Sequence, residues 1–203
     1  HDIAGMTVVH DVARAAGPVV VFLHEGLGSV SMWREFPARL CEALGVRGLV
    51  WSRPGYGRST PRPGAERWGP DFMHRQAREI LPALLGAVDG RAPFLLFGHS
   101  DGGSIALIHA AGFADRVAGL ILLAPHILVE DISVRSIEQA REAWRETSLR
   151  EKLARHHADA ESVFMRWNAL MIPMVVPNSP TKGAVDPMVA RPLRPLLRSS
   201  MAM

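Results

Sequence analysis

The chain has one cysteine, Cys41, in 203 residues, so it can form no internal disulfide and cannot build a thiolate metal cluster. Cys41 lies in PARLCEALG, a stretch that reads as a helix and places it beside Leu40 as a half-buried structural thiol. A lone thiol suits a reducing compartment, and the cytoplasm is the expected location. Long hydrophobic runs are also missing. The longest, such as AGLILLAP, fall well short of the ~20 residues that span a bilayer, so no membrane helix is expected. HDIAGMTVVH shows no basic-then-apolar leader. The sequence pI of 9.7 reflects a net charge of only +3, with 23 basic residues scattered among 20 acidic ones. Binding a phosphate backbone needs clustered cations, so no nucleic-acid partner is expected. No repeat is present, and no histidine pair has a third ligand near it, which argues against a metal or other cofactor. Nothing in the sequence sets the oligomeric state.

Apolar residues make up 48% of the chain and charged ones 21%, the balance of a folded globular domain. A chain of this size removes roughly 70% of its unfolded surface from water. Val8 and Val9, the run from Pro18 to His24, VRGLVWS from Val46, PFLLFG from Pro93 and VAGLILLAP from Val117 read as strands. The last four are continuously apolar, as strands covered on both faces of a parallel sheet are. Helical stretches lie between them at Met32 to Leu44, Asp71 to Val88 and Gly102 to Phe113. Alternation of this kind predicts an α/β fold with right-handed crossovers. From Asp131 to about Leu170 one long helical region follows, with Trp144, Phe164 and Trp167 among its apolar members. An inserted lid would look like this, as would a pair of packed surface helices. Beyond Leu170, proline recurs every few residues and irregular structure is expected.

The chemistry concentrates in PFLLFGHSDGGSIALIHAA, a buried strand, a tight turn and a helix. Gly98 and Gly102 stand two before and two after Ser100, the spacing that lets a strand turn sharply into a helix and present a serine at the strand end. The free N–H groups of the helix N-terminus favour negative charge developing there. A second strand opens into the glycine-rich loop HEGLGS. In folds built on such an elbow, this loop donates one oxyanion N–H, here from Gly26 or Leu27, and the residue after the serine, Asp101, donates the other. His24 is expected to organise the loop through hydrogen bonds.

With SRPGYGRST from Ser52 to Thr60 as a third piece in family order, the sequence from about Pro18 to Pro125 resembles the α/β-hydrolase superfamily. GHSDGG, with APHILVED downstream, is similar to a group of small bacterial-type hydrolases. The resemblance implies an α/β-hydrolase fold: a mostly parallel sheet, helices on both faces, and a helical cap. It also implies a metal-free serine hydrolase, most often an esterase. The expected organisation is a nucleophile-bearing core over 1–130, a cap over 131–170 and a Pro/Arg-rich tail over 171–203.

The sequence departs from the family pattern in three places. Glu25 replaces a common glycine, and Ser52-Arg53 stand where many relatives carry an acid; Glu25 and Arg53 are expected either to pair beside the pocket or to remain solvated. Family order also places an acid and then a histidine after the nucleophile, the histidine beyond a late strand. The last histidine here is His157, inside the helical region. His156 and His157 are expected to be a solvated pair, with either as the catalytic base the alternative, and His126 and Glu130 to line the pocket. The fold is therefore expected to be C-terminally incomplete, its family likeness ending near Asn168, with the catalytic acid and base missing. The expected function is hydrolysis of a small carboxylic ester through Ser100. A lactonase, a carbon–carbon bond hydrolase and a non-catalytic binding protein or inactive fragment are the alternatives.

Overall fold

The computed structural model describes residues 2–3, 5–10, 17–63, 68–88, 93–127 and 131–175. Strands β1 (Asp2–Ile3), β2 (Met6–His10), β3 (Val19–Leu23), β4 (Arg47–Trp51), β5 (Phe94–His99) and β6 (Val117–Leu123) form one sheet in the order β1-β2-β4-β3-β5-β6. The first two are antiparallel to each other, and β2 is antiparallel to β4. From β4 through β3 and β5 to β6 the sheet is parallel, with Val21 opposite both Leu49 and Leu96. The α/β architecture expected from the alternation of strand and helix is the observed one.

The helices are α1 (Phe36–Leu44), α2 (Phe72–Arg75), α3 (Leu81–Val88), α4 (Asp101–Gly112), α5 (Asp131–Glu146), α6 (Leu149–Ala154) and α7 (Ala160–Val175). A π-helical turn, Gln76–Ile80, joins α2 to α3. Alternate residues of the central strands feed opposite layers. Val20 and Phe22 pack with Val50, Phe97 and Cys41 of α1, whereas Val19, Val21 and Leu23 pack with Leu81, Leu84, Ile105 and Ala106. Phe22 and Leu96 are fully buried, which stabilises the fold by ~1.5–3 kcal/mol for each such side chain. Cys41 is wholly buried, not half-buried.

Three expectations about the elements need correction. The helix expected from Met32 is broken: a 3-10 turn, Val30–Trp33, precedes α1, and Arg34 between them has φ 52°. Pro37, whose fixed φ suits a first turn, starts α1 afresh. The region from Asp131 is three helices rather than one, and α7 runs past Leu170 to Val175 with Pro173 in its last turn. Most of the expected irregular tail, 176–203, lies outside the described residues. Finally, β6 is not covered on both faces. Among the described residues it is the last strand of the sheet, and Leu120, Ile121 and Leu123 are exposed. Among the described residues, no helix is long and apolar enough to cross a membrane.

Candidate active site

Ser100 sits between β5 and α4 with φ 54° and ψ −119°, a conformation an L-residue adopts only under strain of ~1–3 kcal/mol. The contacts around it leave no alternative path. A side chain at Gly98 would run into the backbone of Gly102 and Gly103, and one at Gly102 would run into the carbonyls of Leu23 and His24. The start of α4 therefore lies directly against the end of β3. Since β3 and β5 are parallel neighbours, with Leu23 opposite Gly98, the serine and the loop after β3 emerge at the same end of the sheet. Asp101, as the first residue of α4, has an N–H with no intrahelical acceptor.

The loop after β3 is organised by hydrogen bonds. His24 is buried; its Nδ1–H donates to Glu25 O at 2.8 Å, and its Nε2 accepts from Arg53 N–H at 3.2 Å. That pattern requires a neutral ring, and burial together with the Arg53 charge holds its pKa well below the ordinary histidine value. Gly28 N–H closes a turn onto Glu25 O at 3.1 Å. Gly26 and Leu27 donate in none of the hydrogen bonds among the described residues. Trp167 of α7 lies against Gly26, where a methyl group would overlap its indole nitrogen and stand 3.0 Å from Asp101 Oδ2.

Arg53 and Glu25 meet, but not as an ion pair. The buried guanidinium donates through Nη2 to the Glu25 carbonyl at 2.8 Å and lies 4.6 Å from the centre of the Tyr56 ring. Burial raises the Glu25 carboxyl above its ordinary pKa, while Arg53 opposes the rise. Glu130 lies outside the described residues.

The feature that sequence reasoning assigned only to the pocket is His126. Its Nε2 is 2.8 Å from Ser100 Oγ and 3.3 Å from Asp101 Oδ1, at ion-pair distance but off hydrogen-bond geometry. After β6, Ala124 turns with φ 45° and brings His126 back over the elbow. Ser104 then fixes it: His126 N–H donates to Ser104 Oγ at 2.8 Å, and the hydroxyl donates to His126 O at 3.2 Å. Ser104 lies in the first turn of α4, four residues after Ser100. The Asp101 carboxylate raises the imidazole pKa above the ordinary value, against an opposing effect of burial.

His156 and His157 are not a solvated pair. His157 is 5% exposed, accepts from Gly57 N–H at Nδ1 (2.9 Å) and donates from Nε2 to Leu27 O (2.8 Å). His156 Nδ1 meets Ser31 Oγ at 2.9 Å. Trp144 stacks on the buried Phe164, with ring centres 4.2 Å apart. His109 is a packing residue that donates to Ala77 O at 2.8 Å.

Comparison with known proteins places the chain among hydrolases. A model of the alpha/beta hydrolase family matches residues 20–202, beyond the point near Asn168 where the likeness was expected to end. Protein phosphatase methylesterase 1 of Bos taurus is 28% identical over 64% of this chain and 33% of its own length. Lipase LipV of Mycobacterium tuberculosis is 32% identical over 51% of this chain and 43% of its own. The chain thus spans less than half the length of these relatives. Among solved structures, a probable hydrolytic enzyme of Pseudomonas aeruginosa PAO1 superposes with a TM-score of 0.56 at 20% identity, covering 83% of this chain and 61% of that one. A thermophilic esterase of Thermogutta terrifontis superposes with a TM-score of 0.53 at 22% identity, covering 81% and 62%. At such identities the structural likeness concerns the fold.

Proposed function

The chain belongs to the alpha/beta hydrolase family, and from that premise we propose that it is a serine hydrolase of small carboxylic esters. Ser100 is its nucleophile, and the N–H groups of Asp101 and of Gly26 or Leu27 form its oxyanion hole. The observation that carries this reading is the strained backbone of Ser100 at the β5–α4 junction. Such strain persists only where the surroundings impose it, and here two glycines with no room for a side chain impose it.

In the proposed reaction, Ser100 Oγ attacks the acyl carbon and the carbonyl oxygen gains the negative charge. Donors already oriented at that point require no reorganisation, and losing one donor in such a site costs ~10²–10³ in rate. Collapse expels the alcohol and leaves an acyl group on Ser100, which water then removes. Both steps need a group to take a proton.

His126 is badly placed to take it. A triad histidine uses one ring nitrogen for the serine and the other for its carboxylate. Here Asp101 faces Nε2, the nitrogen that also meets Ser100. The proton that Asp101 favours therefore sits on the atom that would have to accept the serine's, and His126 donates to Ser100 Oγ instead. Once the ring is neutral and carries its one proton on Nδ1, Nε2 can accept, so the accepting form of His126 grows as pH rises through its raised pKa. The proposal accordingly assigns the efficient base, and the acid that orients it, to groups outside the described residues. The helices α5 to α7 act as a cap over the site, a reading supported by Trp167 against Gly26 and His157 on Leu27.

A fluorophosphonate probe followed by peptide mass spectrometry tests the assignment. Modification of Ser100, absent in Ser100→Ala, is the expected result. A Ser100 that stays unmodified while the chain is folded would favour the non-catalytic binding protein or inactive fragment.

A further inference from the structure

Among the described residues four hydrogen bonds tie the turn between α6 and α7 to the core, and three of them involve the consecutive residues His157 and Ala158. Gly57 N–H donates to His157 Nδ1 at 2.9 Å, His157 Nε2–H donates to Leu27 O at 2.8 Å, and Ala158 N–H donates to Gly57 O at 2.8 Å. His156 adds the contact to Ser31. His157 thus bridges both loops that flank the elbow, the one carrying Gly26 and Leu27 and the one from Ser52 to Thr60. The Tyr56 ring meets it edge-on with centres 6.1 Å apart.

We propose that His157 is a positioning residue that clamps the cap onto the oxyanion loop, fixing the Leu27–Gly28 peptide that directly follows the candidate donor N–H groups of Gly26 and Leu27, and that acid releases the clamp. The inference rests on the oxyanion role proposed for that loop. Its chemistry follows from the two partners. Gly57 offers a donor and Leu27 an acceptor, so only the neutral ring with its proton on Nε2 satisfies both. A second proton on Nδ1 would set N–H against N–H, in a site too buried for water to relieve the clash. Among the described residues, the titratable and charged groups whose fields act on the ring are His156, Arg53 and His24, and Tyr56 packs against it; the cationic or potentially cationic ones oppose protonation. Burial adds to this, and the pKa of His157 is lowered.

The sign of the pH effect follows. A histidine whose folded pKa is depressed contributes stability that is fully present above the ordinary value near ~6.5 and is lost as pH falls through the folded value. His24 is also held neutral by burial, so a pH transition alone does not identify the clamp. Substitution at position 157 does. Phenylalanine keeps the ring volume and removes both bonds. Asparagine can accept from Gly57 but does not reach Leu27, and glutamine reaches Leu27.

The experiment uses the full chain in nitrogen-15 NMR from about pH 5 to 8, the range in which histidine titrates, alongside the rate of fluorophosphonate labelling at Ser100. In the wild type, the His157 ring is expected as the Nε2–H tautomer. The Gly57, Leu27 and Gly28 amide signals should shift together on acidification. In His157→Phe those signals should sit at altered positions at every pH, and labelling should fall roughly 10- to 100-fold, less than outright loss of a donor. Glutamine should recover labelling better than asparagine. An ordinary titration of the ring, or unchanged Leu27 amide signals and labelling in His157→Phe, would overturn the clamp. Should His157→Phe not fold, equal labelling in the Asn and Gln variants would overturn it. If Ser100 is not labelled even in the wild type, the nucleophile assignment fails, while the amide signals still decide whether the clamp exists.

Discussion

The two halves of the candidate site hang from unlike strands. Ser100 follows β5, which is paired on both sides and buried through Phe94, Leu96 and Phe97. His126 follows β6, the sheet's last described strand, with Leu120, Ile121 and Leu123 exposed. The nucleophile side is set by backbone: a strained φ, two glycines with no free space, and a helix N-terminus. The proton-handling side depends on one imidazole whose single nitrogen meets both a hydroxyl and a carboxylate. On the proposed reading, attack and oxyanion stabilisation fall to the packed centre of the described structure, whereas proton transfer is only partly provided at its edge.

The contrast breaks most visibly at the centre. Gly102→Ala drives a methyl into the carbonyls of Leu23 and His24, which are backbone and cannot swing aside. It should destabilise the fold by ~3 kcal/mol or more, the upper end of overpacking costs, and abolish labelling of Ser100. A denaturant midpoint unchanged from wild type would mean that the elbow does not pass β3 as described.

A smaller effect is expected at His126. Slow ester hydrolysis should rise with pH as the ring loses its proton, and His126→Gln should flatten that rise and lower the rate ~10- to 100-fold at high pH, the modest end of general-base contributions. Stability should move the other way. The His126 pKa is raised by Asp101, so the stabilising contact is fully present below the ordinary histidine pKa and is lost as pH rises through the raised value. Denaturation of wild type and variant across this pH range checks the sign. A rate that falls with pH would assign His126 another role.

The smallest effect belongs to the edge strand. Ile121 is 40% exposed, so Ile121→Lys should change stability by no more than ~0.5 kcal/mol, against ~2–5 kcal/mol for Leu96→Ala in the buried strand. Comparable losses in the two would show that β6 is covered in solution.

The parallel strands and the elbow were legible in the sequence because each is local: a continuous apolar run, then small residues at fixed spacing around a serine. What could not be read depends on distant partners. His126 reaches Ser100 because Ala124 takes a positive φ and Ser104 captures the returning backbone, and neither event leaves a compositional trace. His157 looked solvated in LARHHADAE because its partners, Gly57 and Leu27, are 100 and 130 residues away. Arg53 and Glu25 were rightly placed near each other, but the guanidinium found the carbonyl rather than the carboxylate. The apolar run of β6 indicated cover on both faces, yet among the described residues nothing supplies it on the outer side.

The measurement that bears most directly on the central claim is rapid mixing of the chain with p-nitrophenyl acetate near neutral pH, followed by mass spectrometry of the quenched protein. The account predicts slow release of nitrophenolate, an acetyl group on Ser100, and loss of both in Ser100→Ala, with turnover that is weak but above the uncatalysed rate because an oxyanion hole and binding alone supply ~10³–10⁴ over water. Fast turnover at neutral pH that is lost in His126→Gln would contradict the claim that the described residues lack an efficient base, and turnover that survives in Ser100→Ala would contradict the nucleophile itself.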